Sequence, residues 1–360
     1  MTPSRSLRLG VVALLAGALA APLPTTLASA TEVPAPDATA ATETQQTTDP
    51  GVIRLGGANR FIVASSIAAN TTFPRTPVPV VYIVSGEVFP DALSASAIAG
   101  NLGGPVLLVT KNSIPDIVEV RLTALKPKKI VILGGPNTID PSLDAQFNVY
   151  GAPVSRIEGA DRYEVSAKAS AGAFKQNPTD MVKTVYVASG ENYPDALAGA
   201  AGTAAPENGT ARGPLLLTRK GELPASVDAE LQRLSPERII VLGGPGSVSD
   251  TVLDRLRAIQ PNVTRIAGED RYSTAAQVAG KFTPGGTVVV ASGQNFPDAL
   301  AGGPLAINEQ GPIVLVQPDA IPASVSDYLT AAKPKHIVIL GGDLSVSQKV
   351  AGQLAGFIVP

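Results

Sequence analysis

The chain has 360 residues, with 28 lysines and arginines against 30 aspartates and glutamates, one histidine and no cysteine. Lack of cysteine excludes a disulfide framework, a thiol nucleophile and Cys-ligated zinc or iron–sulfur centres, and one histidine cannot supply the imidazoles of a common zinc hydrolase. A hydrophobic content of 44% excludes a collagen-like or wholly disordered chain, and the near-neutral charge balance offers no broad field for capturing nucleic acid.

At the N-terminus, Arg5 and Arg8 precede an uncharged run from Leu9 to Ala21, and Ala28-Ser29-Ala30 is a small-x-small cleavage site. This is the layout of a secretory signal peptide over 1–30, with an apolar run too short for a membrane span, so the mature chain is expected to start near Thr31 without a membrane anchor. Cleavage leaves 26 basic residues against 30 acidic ones, a net charge of −4. An anionic partner must then be met by local arginine clusters. Residues 31–50, rich in Pro, Thr, Ala and Gln, read as a disordered linker.

From 51 onward four landmarks recur three times in the same order. Arg54-Leu-Gly-Gly-Ala-Asn59-Arg60-Phe61 returns as Arg156 to Tyr163 and Arg265 to Tyr272. Ser85-Gly86-Glu-Val-Phe89-Pro90-Asp91-Ala-Leu93 returns as Ser189-Gly190 to Leu197 and Ser292-Gly293 to Leu300. Gly104-Pro105 is matched by Gly213-Pro214 and Gly311-Pro312, and Ile130 to Gly135 by Ile239 to Gly244 and Ile337 to Gly342. Spacings of 98 to 109 residues divide the chain into repeats at 51–152, 153–261 and 262–360. A unit of roughly 100 residues is large enough to hold its own core, unlike a solenoid repeat.

Within a repeat, Val80–Val84, Val106–Val109 and Ile130–Leu133 are continuous apolar runs, the mark of strands covered on both faces. Helical stretches alternate with them at Ile62–Ala69, Ala92–Ala99 and Pro115–Leu125, and at Val248–Ile259 in the second repeat. The order β-α-β-α-β-α-β-α predicts an α/β fold of three tandem Rossmann-like, doubly wound parallel-sheet modules. Asn59, Asp161 and Asp270 fall where a helix N-cap belongs, and Pro then Asp in the second landmark suit the first two helical positions. The helix that follows is built of small residues (ALSASAIAG, ALAGAAG, ALAGGP), so these three helices pack either at the centre of the assembled modules or closely on their own sheets.

The four motifs together resemble the cell-wall-binding type 2 repeat of Gram-positive bacteria. That resemblance implies three modules arranged as a pseudo-trimer around a threefold axis. It also implies non-covalent anchoring of an exported protein to anionic secondary wall polymers of the teichoic-acid kind. Many relatives carry an added amidase or protease module; here the repeats fill 51–360, so a monomeric, non-catalytic, secreted cell-surface anchor is expected, with no cofactor or metal. The alternatives are an envelope enzyme such as a peptidoglycan amidase, or a docking or activating partner of one.

Candidate residues follow from the recurrence. Arg60, Arg162 and Arg271 open helices, where exposed N–H groups and a guanidinium suit phosphate, or else they pair with the aspartate of their own repeat. Arg54, Arg156 and Arg265 line the same groove or cross a module boundary. The turns Ser85-Gly86, Ser189-Gly190 and Ser292-Gly293 complete the candidate polymer-binding set, although as nucleophiles the serines lack the G-x-S-x-G elbow and a base. Asp91, Asp195 and Asp298, with the caps Asn59, Asp161 and Asp270, are taken as structural loop and ion-pair residues. A catalytic carboxylate pair would be Asp91 with Glu87 and Asp195 with Glu191, but the third copy has Gln294 there. His336 stands where the other copies have Lys129 and Arg238, so it is neither catalyst nor ligand. The Gly-Gly turns lack both the dinucleotide fingerprint and the P-loop lysine.

Overall fold

The structure is a computed structural model describing residues 44–49, 51–70, 76–88, 90–175, 181–206 and 213–359. The expected signal peptide over 1–30 and most of the expected linker lie outside them. The chain opens with β1 (Thr44–Asp49), β2 (Val52–Gly56), α1 (Arg60–Ala68), β3 (Val81–Ser85), α2 (Pro90–Asn101), β4 (Val106–Val109), α3 (Asp116–Leu125), β5 (Ile130–Leu133) and α4 (Ser142–Phe147). The second repeat adds β6 (Val154–Ile157), α5 (Arg162–Ala173), β7 (Thr184–Ser189), α6 (Pro194–Gly202), β8 (Leu215–Thr218), α7 (Ala225–Leu234), β9 (Arg238–Leu242) and α8 (Asp250–Ile259). The third adds β10 (Val263–Ile266), α9 (Arg271–Ala279), β11 (Thr287–Ser292), α10 (Pro297–Asn308), β12 (Ile313–Val316), α11 (Ala323–Ala332), β13 (His336–Leu340) and α12 (Gln348–Ala355).

Three sheets result, ordered β4-β3-β5-β6, β8-β7-β9-β10 and β12-β11-β13-β2-β1. Every pairing is parallel except β1 on β2. Sheet and repeat are offset by one strand. The first strand of each repeat completes the sheet of the repeat before it, and β2 from the start of the chain completes the third sheet by pairing Val52–Leu55 with Ile337–Leu340. Each repeat is therefore not a self-contained sheet. Part of the expected linker is ordered: β1 covers the outer edge of β2 through main-chain pairing, which needs no apolar side chains and so leaves no hydrophobic pattern.

The continuous apolar runs divide between two cores. In the first sheet Val81, Ile83, Leu107, Ile130 and Ile132 face outward to α3 and α4, packing with Leu122, Leu143 and Phe147. The alternate residues Tyr82, Val84, Leu108 and Leu133 belong to an inner core shared by all three repeats. At its middle α2, α6 and α10 pack on one another. Their small residues are what allow this. A Cβ added at Gly303 of α10 would lie 2.5 Å from Ser96 Oγ of α2 and 3.7 Å from the Ala200 Cβ of α6. The Ser96 hydroxyl donates to the Leu300 carbonyl, fastening α2 to α10. Around this trio the contacts are cyclic: α5 packs on α2, α9 on α6, and α1 closes the ring on α10. Among the described residues no helix is long and apolar enough to cross a membrane.

Candidate functional site

The strand arginines are clips that bind each crossing strand to the turn beside it. Arg156 Nη1 donates to the carbonyls of Gly134 (2.7 Å) and Ile139 (3.0 Å), and Arg265 Nη1 to those of Gly243 (2.7 Å) and Val248 (2.8 Å). A carboxylate at the start of the following helix completes each clip: Asp144 accepts from Arg156 Nε at 3.1 Å, and Asp250 from Arg265 Nη2 at 3.1 Å. At the third position the acid sits on the turn instead. Arg54 Nη1 donates to the Gly341 carbonyl at 2.9 Å, Asp343 lies 3.6 Å from its Nη2, and Gln348 Nε2 holds Asp343 at 2.9 Å. Arg54 is 2% exposed, so a polymer cannot reach it; this corrects its place in the expected binding groove. Burial pushes its pKa down, against the opposing pull of Asp343.

The Ser-Gly turns are also engaged internally. Ser85, Ser189 and Ser292 are buried, and their Oγ atoms accept from the N–H two residues on, at 3.1, 3.1 and 3.2 Å. Gly86, Gly190 and Gly293 lie under the rings of Phe61, Tyr163 and Tyr272, where a Cβ would come within 2.9, 2.7 and 2.5 Å of the ring. That close approach is the reason for glycine in this motif. The carbonyl of each accepts from the helix-start arginine of its own repeat, Arg60 to Gly86, Arg162 to Gly190 (2.6 Å) and Arg271 to Gly293 (2.6 Å). Glu87 and Glu191, which a catalytic reading would pair with Asp91 and Asp195, accept from the main-chain N–H of Lys111 (2.9 Å) and Lys220 (3.5 Å), tying down the loop after the third-landmark strand.

Asn59 and Asp161 cap α1 and α5 by accepting from two N–H groups each, and Asp270 forms a capping box with Ser273. The caps take the helix-start N–H groups that an anion would otherwise use. Binding by the adjacent arginines must then come from the guanidinium itself. Arg60 is exposed, while Arg162 and Arg271 are half-buried. Arg60 stacks over the Phe296 ring (5.9 Å) and Arg271 over Tyr193 (5.8 Å), each ring belonging to the preceding repeat in the cycle.

Asp91, Asp195 and Asp298 sit at the second position of α2, α6 and α10, beneath the turn after β5, β9 or β13. Gly134, Gly243 and Gly341 adopt positive φ there (132°, 92° and 96°). Thr138 Oγ1 donates to Asp91 at 3.3 Å and Ser345 Oγ to Asp298 at 2.9 Å, while Ser247 and Thr274 bond to Asp195. Burial raises the pKa of all three. The opposing cation is not in the same repeat, as one sequence reading had it. Arg162 acts on Asp91, Arg271 on Asp195 and Arg60 on Asp298, each from the next repeat in the cycle. The recurring hydroxyl at Thr138, Ser247 and Ser345, four residues beyond the first glycine of each Gly-Gly turn, was the overlooked sequence signal for this site.

These groups meet in the joints between repeats. The joint of repeats 2 and 3 holds a cleft of about 260 Å³ lined by Asn192, Asp195, Ser247, Glu269, Arg271 and Thr274, among others. It lies at the C-terminal ends of the strands, where open α/β sheets bind ligands.

Three recurring α/β units, each tied to the next by an arginine clip, define a repeat-built protein whose polar groups gather at the joints. The chain belongs to the cell wall binding domain 2 family, whose model matches residues 54–144, 156–253 and 265–351. It is 27% identical over 86% of its length to N-acetylmuramoyl-L-alanine amidase LytC of Bacillus subtilis, and 30% identical over 84% to the Amidase enhancer of the same organism. It covers 59% and 40% of those proteins, about half of their length. Among solved structures, Cwp6 from Clostridium difficile superposes with a TM-score of 0.76 at 25% identity, covering 91% of this chain and 50% of that one. Cwp8 from the same organism gives 0.76 at 27%, covering 86% and 52%.

Proposed function

We propose that the chain is an exported, non-catalytic anchor that holds to the cell wall by binding an anionic wall polymer at the joints between repeats. Residues 1–30 would direct export, and the mature protein would act as a monomer. The observation that carries the reading is the recurrence, in a family of wall-binding domains, of an exposed or half-buried arginine at each joint: Arg60, Arg162 and Arg271. A guanidinium suits phosphate because its planar fork can bind two oxygens at once. Of the three, Arg60 has the most favourable surroundings, because its neighbouring cap is the uncharged Asn59. The non-catalytic reading is supported by the internal engagement of the residues an enzyme would use: the serine hydroxyls hold turns, and of the aspartates under theirs Asp195 and Asp298 are buried and Asp91 half-buried.

The test is sedimentation of mature protein with Gram-positive walls before and after acid extraction of their phosphopolymers, over a range of salt. Binding should be lost on extraction and weaken with salt, because charge pairing at the surface is screened. Undiminished binding to stripped walls would refute the anionic-polymer reading.

A further inference from the structure

The three sheets begin on one side of the ring and end on the other. On the joint side the turns after β7 and β11 meet, where Tyr193 Oη donates to the Gln294 carbonyl at 2.7 Å and the Tyr193 and Phe296 rings stand 5.9 Å apart. On the far side Asn101, at the end of α2, donates to the Gly213 carbonyl just before β8 at 3.2 Å. Between them α2 and α10 run side by side in one direction: Gly303 meets Ser96, and one turn on Gly100 meets Ile307.

The far side is basic. Lys126, Lys128, Lys129, Lys175, Lys333 and Lys335 stand in the loops that enter the strands, all exposed, and none forms an ion pair among the described residues. The described acids of these loops are Glu237, which Lys183 takes at 3.6 Å, Glu309, which accepts from Thr287 Oγ1 at 3.1 Å, and Asp49 at the end of β1. A cation at a helix C-cap complements the dipole, which accounts for Lys126 and Lys333. It does not account for Lys128, Lys129 and Lys335, which follow those caps at the entry to β5 and β13. The mature chain carries a net charge of −4, so this surface runs against the charge of the whole.

Apolar side chains are exposed among the lysines. Leu102 follows α2, Val149 follows α4 with 78% of its surface open, and Met181 precedes β7. Val359, also exposed, donates its N–H to the carbonyl of Pro334, between Lys333 and Lys335. A hydrated polyanionic chain offers such side chains nothing. The interface of a bilayer takes both kinds: ammonium groups meet lipid phosphates while Leu, Val and Met enter the headgroup boundary.

We propose that the side on which the strands begin is a docking surface for a membrane bearing anionic lipids, on which the protein lies without spanning it. The joints, on the opposite side, then point away from the bilayer and toward the wall.

The test is flotation of the full mature chain with vesicles of phosphatidylglycerol and phosphatidylcholine, and with vesicles of phosphatidylcholine alone. Binding should require the anionic lipid and weaken as salt rises. One lysine near an anionic surface is worth about fivefold in affinity, so Lys128→Gln, Lys129→Gln and Lys335→Gln together should weaken binding about a hundredfold. These lysines hold no ion pair, so the triple variant should keep the urea midpoint of the wild type and its sedimentation with walls. Val149→Ser should weaken flotation severalfold with the charge unchanged. Equal binding to both vesicles, no binding to the anionic ones, or indifference of either variant would overturn the proposal. Arg60→Gln separates this surface from the joints: it should lower sedimentation with walls and leave flotation as it was. A loss of flotation in Arg60→Gln would place the lipid at the joints and overturn the proposal, whereas flotation without sedimentation would end the anchor reading alone.

Discussion

Gly303→Ala tests whether the three small helices meet at the centre. Alanine favours a helix over glycine by about 1 kcal/mol when nothing else changes. At Gly303 the new methyl would come 2.5 Å from Ser96 Oγ and 2.9 Å from Ser96 Cβ, so α2 and α10 must part. Overpacking of this kind costs about 1–3 kcal/mol, which leaves a net loss of about 0–2 kcal/mol. Gly352 is the internal control. It lies on the exposed face of α12, and an added Cβ there meets nothing within 4 Å. Gly352→Ala should stabilise by about 1 kcal/mol, so the two variants should differ by about 1–3 kcal/mol in urea unfolding followed by circular dichroism. Adding Ser96→Gly to Gly303→Ala removes both close atoms and should recover part of the loss beyond additivity. If Gly303→Ala stabilises as much as Gly352→Ala, α2 and α10 are not in the contact described.

Arg265→Met should destabilise by about 2–4 kcal/mol, measured by the same unfolding, because it strips donors from two carbonyls and leaves Asp250 unpaired. Asp298→Asn should change the pH dependence of stability. Burial raises the folded pKa of Asp298 above its ordinary 3.8, so its stabilising contribution is complete below pH 3.8 and disappears as pH rises through the raised folded value. Relative to wild type, the asparagine variant should therefore look most stable at neutral pH and lose that advantage on acidification; a difference that stays flat with pH would contradict the assignment. Arg60→Gln should reduce wall sedimentation more than Arg271→Gln, because the cap beside Arg60 is the neutral Asn59 and that beside Arg271 the charged Asp270; equal losses would argue against this difference.

Much of the architecture was legible because it is locally encoded. Val106–Val109 and Ile130–Leu133 are strands whose bounds match their apolar runs, and Asn59, Asp161 and Asp270 cap helices from the positions their side chains require. The partner of each strand was not legible. Val52–Gly56 has the pattern of a strand, but nothing within it distinguishes the edge of β5 from that of β13, since both sheets present similar apolar faces. The arginine roles were hidden for the same reason. Arg54 reads as a cation near a glycine turn, and only the crossover shows that the turn it clips belongs to the far end of the chain. The β1 segment escaped notice because its pairing is carried by the main chain.

The offset between sheet and repeat changes what a single repeat can be. An isolated second repeat would present β9 without the strand that covers its edge, because β10 belongs to the next repeat, and β6 would have no sheet to join. It would also leave Asp195 without Arg271, and the small face of α6 without α2 and α10. The clips of Arg54, Arg156 and Arg265 each cross a joint, as do the arginines that oppose Asp91, Asp195 and Asp298. The joint of repeats 3 and 1 exists only when the ring is closed by β2 on β13, as the other two joints rest on β6 on β5 and β10 on β9. An unpaired strand edge and an uncovered apolar helix face both favour association with other chains. Removal of residues 1–57 should therefore weaken wall binding and make the protein aggregate. A monodisperse, wall-binding product, seen by light scattering and sedimentation, would show that the closing strand is dispensable.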